Sequence, residues 1–388
     1  MWLVPALRFP EFSREWKRHK LSEICSFYSG GTPSSSKKEF YNGNIPFIRS
    51  GELHKDKTEL FITEDGLNSS AAKLVEIGDL LLALYGATSG DIAISKIKGA
   101  INQAILCIRT KQNKKFIESV WNKHVERLLQ TYLQGGQGNL SADIVKNIPF
   151  YFADLEEQDK LANFISLLDE RISTQNKIIE DLKKLKSAIV EMILCKQGGV
   201  LLKLGDVGSF IRGLTYSSED IAEDINATTV IRANNLNYGN NVSKKDVVYV
   251  NKKPTEIQIL RKGDIVICMA NGSSSLVGKN SYYSFDDRQS TIGAFCGIYR
   301  SSQPLVKWLM QSQRYRRLVY QSLQGGNGAI ANLNGDDILN MTFYVVEDKK
   351  SVSILSALVL IENSIAVNEK LQELYSMQKE YLLQHLFI

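Results

Sequence analysis

Histidine and cysteine are scarce and dispersed in this sequence. The four histidines (His19, His54, His124, His385) have no metal-ligand spacing, and the five cysteines (Cys25, Cys107, Cys195, Cys268, Cys296) form no CxxC pair. That argues against a zinc knuckle or a disulfide framework. Free thiols suit a reducing compartment, so the expected location is cytoplasmic. No apolar run approaches the ~18 residues of a membrane span. Met1–Pro10 lacks a basic start followed by a long apolar core, so neither a signal peptide nor membrane association is expected.

Catalytic signatures are also missing. The segment Ala270–Asn280 approaches a phosphate-binding loop, but five residues separate Gly272 from Gly278 where four are needed. Asn280 follows Lys279 where a magnesium-binding hydroxyl is required. It reads as a polar loop of the kind that touches ligands. Asn147-Ile148-Pro149-Phe150 is one residue away from the Asn/Asp-Pro-Pro-Tyr/Phe turn with which amino-methyltransferases hold adenine. Its second position is Ile, Asn340-Met341-Thr342-Phe343 has no Pro, and no glycine-rich cofactor turn precedes either. No nucleophile–base arrangement recurs, so the chain is expected to bind no cofactor or metal and to catalyse nothing.

Glycine and proline are absent from two long stretches. Asp154–Cys195 contains neither, so nothing in it breaks a helix. Asp154 with Glu157 predicts a capping box, and Gly198-Gly199 predicts the end. Leu161, Ile165, Leu168, Ile172, Ile179 and Leu182 recur at alternating four–three spacing, with polar Gln175 and Lys186 in the same seam. That is a coiled-coil pattern, in a rod of roughly 60 Å. Lys349–Ile388 is the second such stretch, with Ile354, Leu358, Ile361, Ile365, Leu371 and Leu374 as its seam. Each helix alone could equally be an ordinary amphipathic core helix. Their related positions favour an intramolecular pair.

That relation comes from an internal repeat. Leu21–Phe27 is echoed by Leu204–Phe210, and Phe47–Leu53 by Val230–Leu236. Gly78-Asp79-Leu80 returns as Gly263-Asp264-Ile265, and Leu133-Gln134-Gly135-Gly136 as Leu323-Gln324-Gly325-Gly326. The offset drifts only from 183 to 192 along the chain. The order is globular, helix, globular, helix: 1–154, 155–197, 198–348 and 349–388. Short apolar runs after Gly-Asp turns read as buried strands, and Phe116–Leu133 and Pro304–Leu323 as helices. The fold class is therefore α+β, with two repeated globular domains separated by two long helices forming a coiled coil.

Charge follows the same division. Net charge is +5, but the globular parts hold 37 Lys and Arg against 30 Asp and Glu, while the two helices are neutral to acidic. A basic excess suits phosphates, and neutral helices suit protein partners. Arg bridges guanine, and Asn or Gln bridges adenine, by paired hydrogen bonds in the major groove, so polar loops carrying these types are candidate readers. In the first half they are Arg49, Ser50, Tyr85, Thr88, Asn102, Gln103, Gln137 and Asn139. In the second they are Arg232, Asn234, Asn235, Asn271, Ser273, Ser274, Arg288, Gln289 and Asn327. The bland alternative is that Arg49 and Arg232 pair with local carboxylates and the glycine loops are only turns.

Several further segments carry a resemblance: Leu7-Arg8-Phe9-Pro10-Glu11-Phe12 with Trp16, Lys20–Ile24, Ile45-Pro46-Phe47-Ile48-Arg49 and Gly78-Asp79-Leu80-Leu81. Gln137–Ser141 leading into Ile148-Pro149-Phe150, and Glu156-Glu157-Gln158 opening the helix, complete it. In this order, repeated around two helices, the chain resembles the specificity subunit of type I restriction–modification systems. The resemblance implies two target-recognition domains, each reading half of a split double-stranded DNA target. It also implies that the two helices form an antiparallel coiled coil that sets the spacing and docks methyltransferase subunits, which restriction–translocase subunits join, with S-adenosylmethionine on the methyltransferase. The second half departs by placing Asn334-Gly335-Asp336-Asp337 against Asn139–Ala142 and by lacking Ile-Pro-Phe. Rival readings are a coiled-coil adaptor with two protein-binding heads, or an intrinsic methyltransferase or nucleotide-binding enzyme.

Overall fold

The computed structural model describes residues 4–132, 139–194, 199–323, 331–346 and 348–388. Gln137 and Asn327 lie outside them, as do most of the repeated glycine loops. The chain divides into two compact units, Met1–Asn176 with Lys370–Ile388, and Lys177–Glu369. The division falls inside the two long helices, Leu155–Met192 and Asp348–Leu386, so each unit holds part of both.

In the first unit, β1 (Lys17–Lys20) pairs with the strand Pro149–Phe152 that leads into the central helix. The remaining strands are β2 (Cys25–Ser29), β3 (Tyr41–Ile48), β4 (Phe61–Ile62), β5 (Lys73–Val75), β6 (Leu80–Ala83), β7 (Ile92–Ile94), β8 (Gly99–Ile101) and β9 (Ile105–Thr110). They form two four-stranded sheets, ordered β2-β9-β6-β7 and β4-β3-β8-β5, with β3 and β8 parallel. Strand β6 reads Leu-Leu-Leu-Ala because both its faces are buried. Leu80 and Leu82 join one core cluster, and Leu81 and Ala83 another. Alternation of side chains on a strand produces this split. Each such leucine contributes about 2 kcal/mol by burial.

The second unit repeats the plan. After β10 (Pro149–Phe152) come β11 (Val200–Lys203), β12 (Gly208–Arg212), β13 (Ile221–Ala222), β14 (Thr228–Ile231), β15 (Val248–Val250), β16 (Ile265–Cys268), β17 (Ala270–Asn271), β18 (Asn280–Tyr282), β19 (Ser290–Ile292), β20 (Cys296–Ser301), β21 (Ala331–Asn332) and β22 (Thr342–Val345). The sheet β12-β20-β16-β18 matches β2-β9-β6-β7, and β14 runs parallel to β19 as β3 does to β8. Pairing of β11 with β22 mirrors β1 with β10, although β22 lacks the proline. The helix expected over Pro304–Leu323 is broken into Val306–Leu309 and Gln313–Leu323. The Ser312 hydroxyl donates to the Leu309 carbonyl and accepts from the Tyr315 N–H, capping the second piece.

The central helix starts where expected, with Glu157 N–H donating to Asp154 Oδ1 at 3.0 Å. The reciprocal half of the capping box does not form. The Glu157 carboxylate instead accepts from Arg8 at 2.7 Å and from Trp16 Nε1 at 3.1 Å, tying the entry segment to the helix. The helix ends at Met192, before the glycines, because Leu194 bridges Val345 and Ile193 O accepts from Val346 N–H.

The seam holds along the central helix. Leu161, Ile165, Leu168, Gln175, Ile179 and Lys186 are buried, and Ile172 and Leu182 are half-buried. On the last helix Leu358 and Ile365 are buried, with Ile354, Ile361 and Leu371 half-buried. Leu374 is not in the seam; it is 48% exposed. The four–three rhythm from Leu358 and Ile365 continues through Gln372, Tyr375 and Lys379. Lys379 pairs with Asp169 at 2.5 Å, and Arg171 lies over the Tyr375 ring at 5.2 Å. Polar seam residues therefore displaced the apolar ones that spacing alone favoured. The pairing is antiparallel within each unit: Asp169 meets Lys379 and Arg171 meets Tyr375 in the first, and Lys183 meets Glu369 and Lys186 meets Glu362 in the second. Ser351–Leu386 is long and apolar enough, by length and composition, to cross a membrane, which corrects the expectation that no stretch approaches that.

Candidate nucleic-acid interface

In each unit three separate segments are drawn together by two backbone hydrogen bonds. In the first, Leu84 N–H at the end of β6 donates to Ala104 O in the β8–β9 turn at 2.7 Å, and Leu140 N–H donates to Leu84 O at 2.8 Å. In the second, Met269 N–H donates to Phe295 O at 2.8 Å, and Leu333 N–H donates to Met269 O at 2.8 Å. This brings Tyr85, Asn102, Gln103 and Asn139 to one locus in the first unit, the first three on short loops after buried strands and Asn139 just before a short helix. Rigid strands below and polar loops above are the usual build of a recognition surface.

The parallel strands add a fourth segment. Ile48 of β3 faces Ile101 of β8, so Arg49 and Ser50 emerge beside Asn102 and Gln103. The Tyr85–Thr88 loop is tied to the same edge by His54 Nε2, 2.8 Å from Asp91 Oδ1. That hydrogen bond raises the His54 pKa above its ordinary value against the cost of burial. Sequence reading overlooked His54, since a lone histidine carries no spacing signal. Asn102 Oδ1 accepts from Ala104 N–H, and Gln103 Oε1 accepts from Thr32 at 2.6 Å, so both side chains also brace their turn.

The two arginines at equivalent positions are in different states. Arg49 donates to Glu52 Oε1 and to Glu59 Oε2, each at 3.1 Å. Two carboxylates thus occupy it, as the bland alternative held. Arg232 has no carboxylate within ion-pair reach among the described residues. Its guanidinium donates to the Asp246 carbonyl at 3.3 Å, and its buried Nε has no partner. Asn235 is removed from the candidate contacts. It is 1% exposed, its Oδ1 accepts from Arg232 N–H, and its Nδ2 donates to Lys245 O. It repeats the role of Glu52, which holds the Arg49 turn from below.

Asn234, Ser273 and Ser274 are exposed in the second unit, and Asn271 is half-buried in β17. Arg288 and Gln289 are exposed but lie at the other end of the parallel pair from Arg232. They precede β19, whereas Arg232 follows β14, and Thr229 N–H donates to Gln289 O. The true counterparts of Asn102 and Gln103 are Gly293 and Ala294, because Ile292 takes the place of Ile101 in the strand pair. Beside them Phe295 is 70% exposed, a large aromatic in a turn that sequence reading passed over. The counterpart of Asn139 is Asn332, not Asn334. Ser141 and Asn334 both cap the following short helix, accepting from Ile144 and Asp337 N–H groups.

The second half of the Gly272–Lys279 loop runs into strand β18 and not into a helix, so no phosphate-binding helix terminus is built there. Among the described residues no cluster of three or more His, Cys, Asp or Glu could hold a metal ion.

Residues 13–184 match the family model for the type I restriction modification DNA specificity domain. The chain is 23% identical over 295 residues to the type I restriction enzyme MjaVIII specificity subunit of Methanocaldococcus jannaschii, covering 68% of this chain and 65% of that protein. It is 28% identical over 189 residues to the EcoR124I/EcoR124II specificity subunit of Escherichia coli, 46% of each. The chain thus spans between about half and two thirds of these curated relatives. The crystal structure of a type I restriction–modification S subunit from M. genitalium has the same fold, with a TM-score of 0.62 at 15% identity over 99% of both chains. A chain from work on complex assembly and conformational transition of the type I system gives 0.56 at 14% identity, over 95% of this chain and 96% of that one. Residues 13–184 thus match that DNA specificity domain, and with the repeat and the doubled three-segment locus in place the fold of the chain is similar to that of type I restriction–modification S subunits.

Proposed function

We propose that this chain is the non-catalytic, sequence-reading subunit of a type I restriction–modification complex. Each unit reads one half of a bipartite double-stranded DNA target through its three-segment locus. The observation that carries this is the doubling itself. Leu84–Ala104–Leu140 and Met269–Phe295–Leu333 use the same two hydrogen bonds to present loops of different sequence. Matched frames with different loops suit two different half-sites, as symmetry and spacing do in dimeric readers.

The long helices are assigned to partner docking. Leu360 and Val367 of the last helix are exposed on it, while Glu362 and Glu369 of the same helix pair with Lys186 and Lys183. Ion pairs of this kind suit a helix packed on protein better than one in lipid. An apolar exposed face beside them suits a methyltransferase subunit, with the restriction–translocase subunits joining through it. S-adenosylmethionine belongs to that partner, and the complex to the cytoplasm.

Gel-shift of the chain with its methyltransferase subunit on randomised duplexes tests this. Selection of one split sequence is expected, and absence of any sequence preference would overturn the reading. Arg232→Ala should weaken binding to one half-site by about 1–3 kcal/mol and relax it there. Replacing residues 1–154 by those of a relative should change the other half-site alone.

A further inference from the structure

The second unit contains a cavity of 610 Å³ between its recognition elements and the long-helix segments it holds. Its charged lining is one-sided: Lys183, Lys186 and Arg316 contribute, and no carboxylate does. The local counter-charge is short. Glu362 serves both Lys186, at 3.3 Å, and Lys307, while Lys183 takes Glu369. The helix Gln313–Leu323 carries Arg314, Arg316 and Arg317 with no acidic residue, and none of the three has an ion pair among the described residues. Burial lowers the Lys186 pKa against the pull of Glu362, as expected for a cation with too little compensation.

The remaining lining is aromatic and apolar. Tyr238 and Tyr320 keep 47% and 64% of their surface exposed, and Arg316 already lies over the Tyr238 ring at 5.9 Å. Val277, Met310 and Val319 add apolar surface. The loop that fails as a phosphate-binding loop supplies Ser274 and Ser275. A cavity of this size lies within the range of about 300–1,000 Å³ that small-molecule sites occupy. Planar rings stack on tyrosine, and arginine with lysine holds phosphate.

We propose that this cavity binds a nucleotide, its base packed on the exposed tyrosines and its phosphate held by Arg316 and Lys183. The nucleotide is either free or a unit of a nucleic-acid strand. Binding here does not rest on the sequence-reading assignment: the residues that carry it, Arg316, Lys183, Tyr238 and Tyr320, are not among the candidate readers, and only Ser274 is common to both. The proposal is of binding, not of turnover.

Calorimetric titration of the purified full-length chain with AMP and GMP, separately, tests the proposal. Saturable binding is expected, weakened about tenfold or more by Arg316→Ala and by Tyr320→Ala, which is about 1.4 kcal/mol. Arg314→Ala, on the same helix outside the cavity, should leave binding unchanged, and adenosine should bind at least about tenfold more weakly than AMP. The altered residues are exposed, and melting curves will confirm that the variants fold. If AMP stays bound when a saturating duplex is added, the source is free nucleotide. If the duplex displaces AMP and both variants weaken duplex binding, the source is a strand. Absence of saturable binding together with unchanged duplex affinity in both variants overturns the proposal, as does nucleotide binding that neither variant weakens. Loss of sequence preference in the gel-shift with nucleotide binding intact would strike the DNA reading alone.

Discussion

Trp121 donates its indole N–H to the carbonyl of Gly90 at 2.8 Å, at the centre of the first unit. The second unit makes the same connection with different chemistry: Tyr315 donates its hydroxyl to the Gly278 carbonyl at 2.9 Å. Both glycines have positive φ, +87° and +79°, and a Cβ there would meet Val125 at 2.9 Å or Val319 at 2.6 Å. The helix can pack this closely on the loop only because both positions are glycine. Tyr315→Phe takes the short donor from a buried carbonyl, leaving it only Asn280 Nδ2 at 3.5 Å, at almost unchanged volume, and should cost about 1–2 kcal/mol. Trp121→Phe adds a cavity and should cost more, about 2–3 kcal/mol. Thermal unfolding of each variant measures this; a Tyr315→Phe protein as stable as the parent would mean the bond contributes nothing.

A second repeated bond ties the turn before the central strand to the strand beside it. Arg300 reaches Asp264 at 2.7 Å, and Arg109 reaches Asp79 at 3.0 Å. The Asp264 pair is the more enclosed, since the Arg300 side chain is mostly buried while that of Arg109 is half in water. Removing one partner of an enclosed pair strands the other. Asp264→Ala should therefore cost about 3 kcal/mol, and Asp79→Ala about 1–2 kcal/mol because solvent screens its partner. Urea midpoints of the two variants give the order directly.

In the first unit, acid sensitivity should centre on Glu52. Burial works against the Glu52 carboxylate, but Arg49, the N–H groups of Arg49 and Glu59, and the Thr58 hydroxyl together hold its pKa at about 2. A carboxyl whose pKa is lower folded than unfolded contributes stability above its unfolded value. That contribution is lost as pH falls through the folded one. The window here runs from about 4.5 down to about 2, and the contribution at neutral pH is about 3 kcal/mol. Glu52→Gln should melt lower at pH 7 and lose less between pH 5 and pH 3. Asn235, which fills the same place in the second unit, has nothing to titrate. Parallel melting curves from pH 3 to 7 check both statements.

The repeat made most of the architecture legible, because a doubled pattern constrains both copies. Strands β6 and β16, the two long helices and the polar seam at Gln175 and Lys186 were all readable as periodicity. Three features were not. Leu374 fits an apolar rhythm, but the register had already passed to Gln372 and Tyr375, and ion pairs decided it. Asn235 looks like a reader until its turn folds and both ends of its amide are used. Arg288 and Gln289 read as candidates because they are polar and precede a strand, and only the parallel strand register shows that they lie at the strand end away from Arg232. Position along the chain does not encode these choices; hydrogen-bond geometry across strands does.

Lys186 is the polar seam residue whose cost can be measured. It sits in the second unit with its Nζ 3.3 Å from Glu362 and 5.3 Å from the Trp308 ring centre. Glu362 also takes Lys307, so one carboxylate balances two lysines. Lys186→Met keeps the length of the side chain and removes a poorly compensated charge. It should leave stability unchanged or raise it by up to about 1 kcal/mol. Glu362→Gln does the opposite, leaving two lysines without their acid, and should cost about 2–3 kcal/mol. If the lysine were the stabilising member, the two variants would fall together. Their divergence in denaturant midpoint would place the value of Lys186 in what it binds or which register it selects.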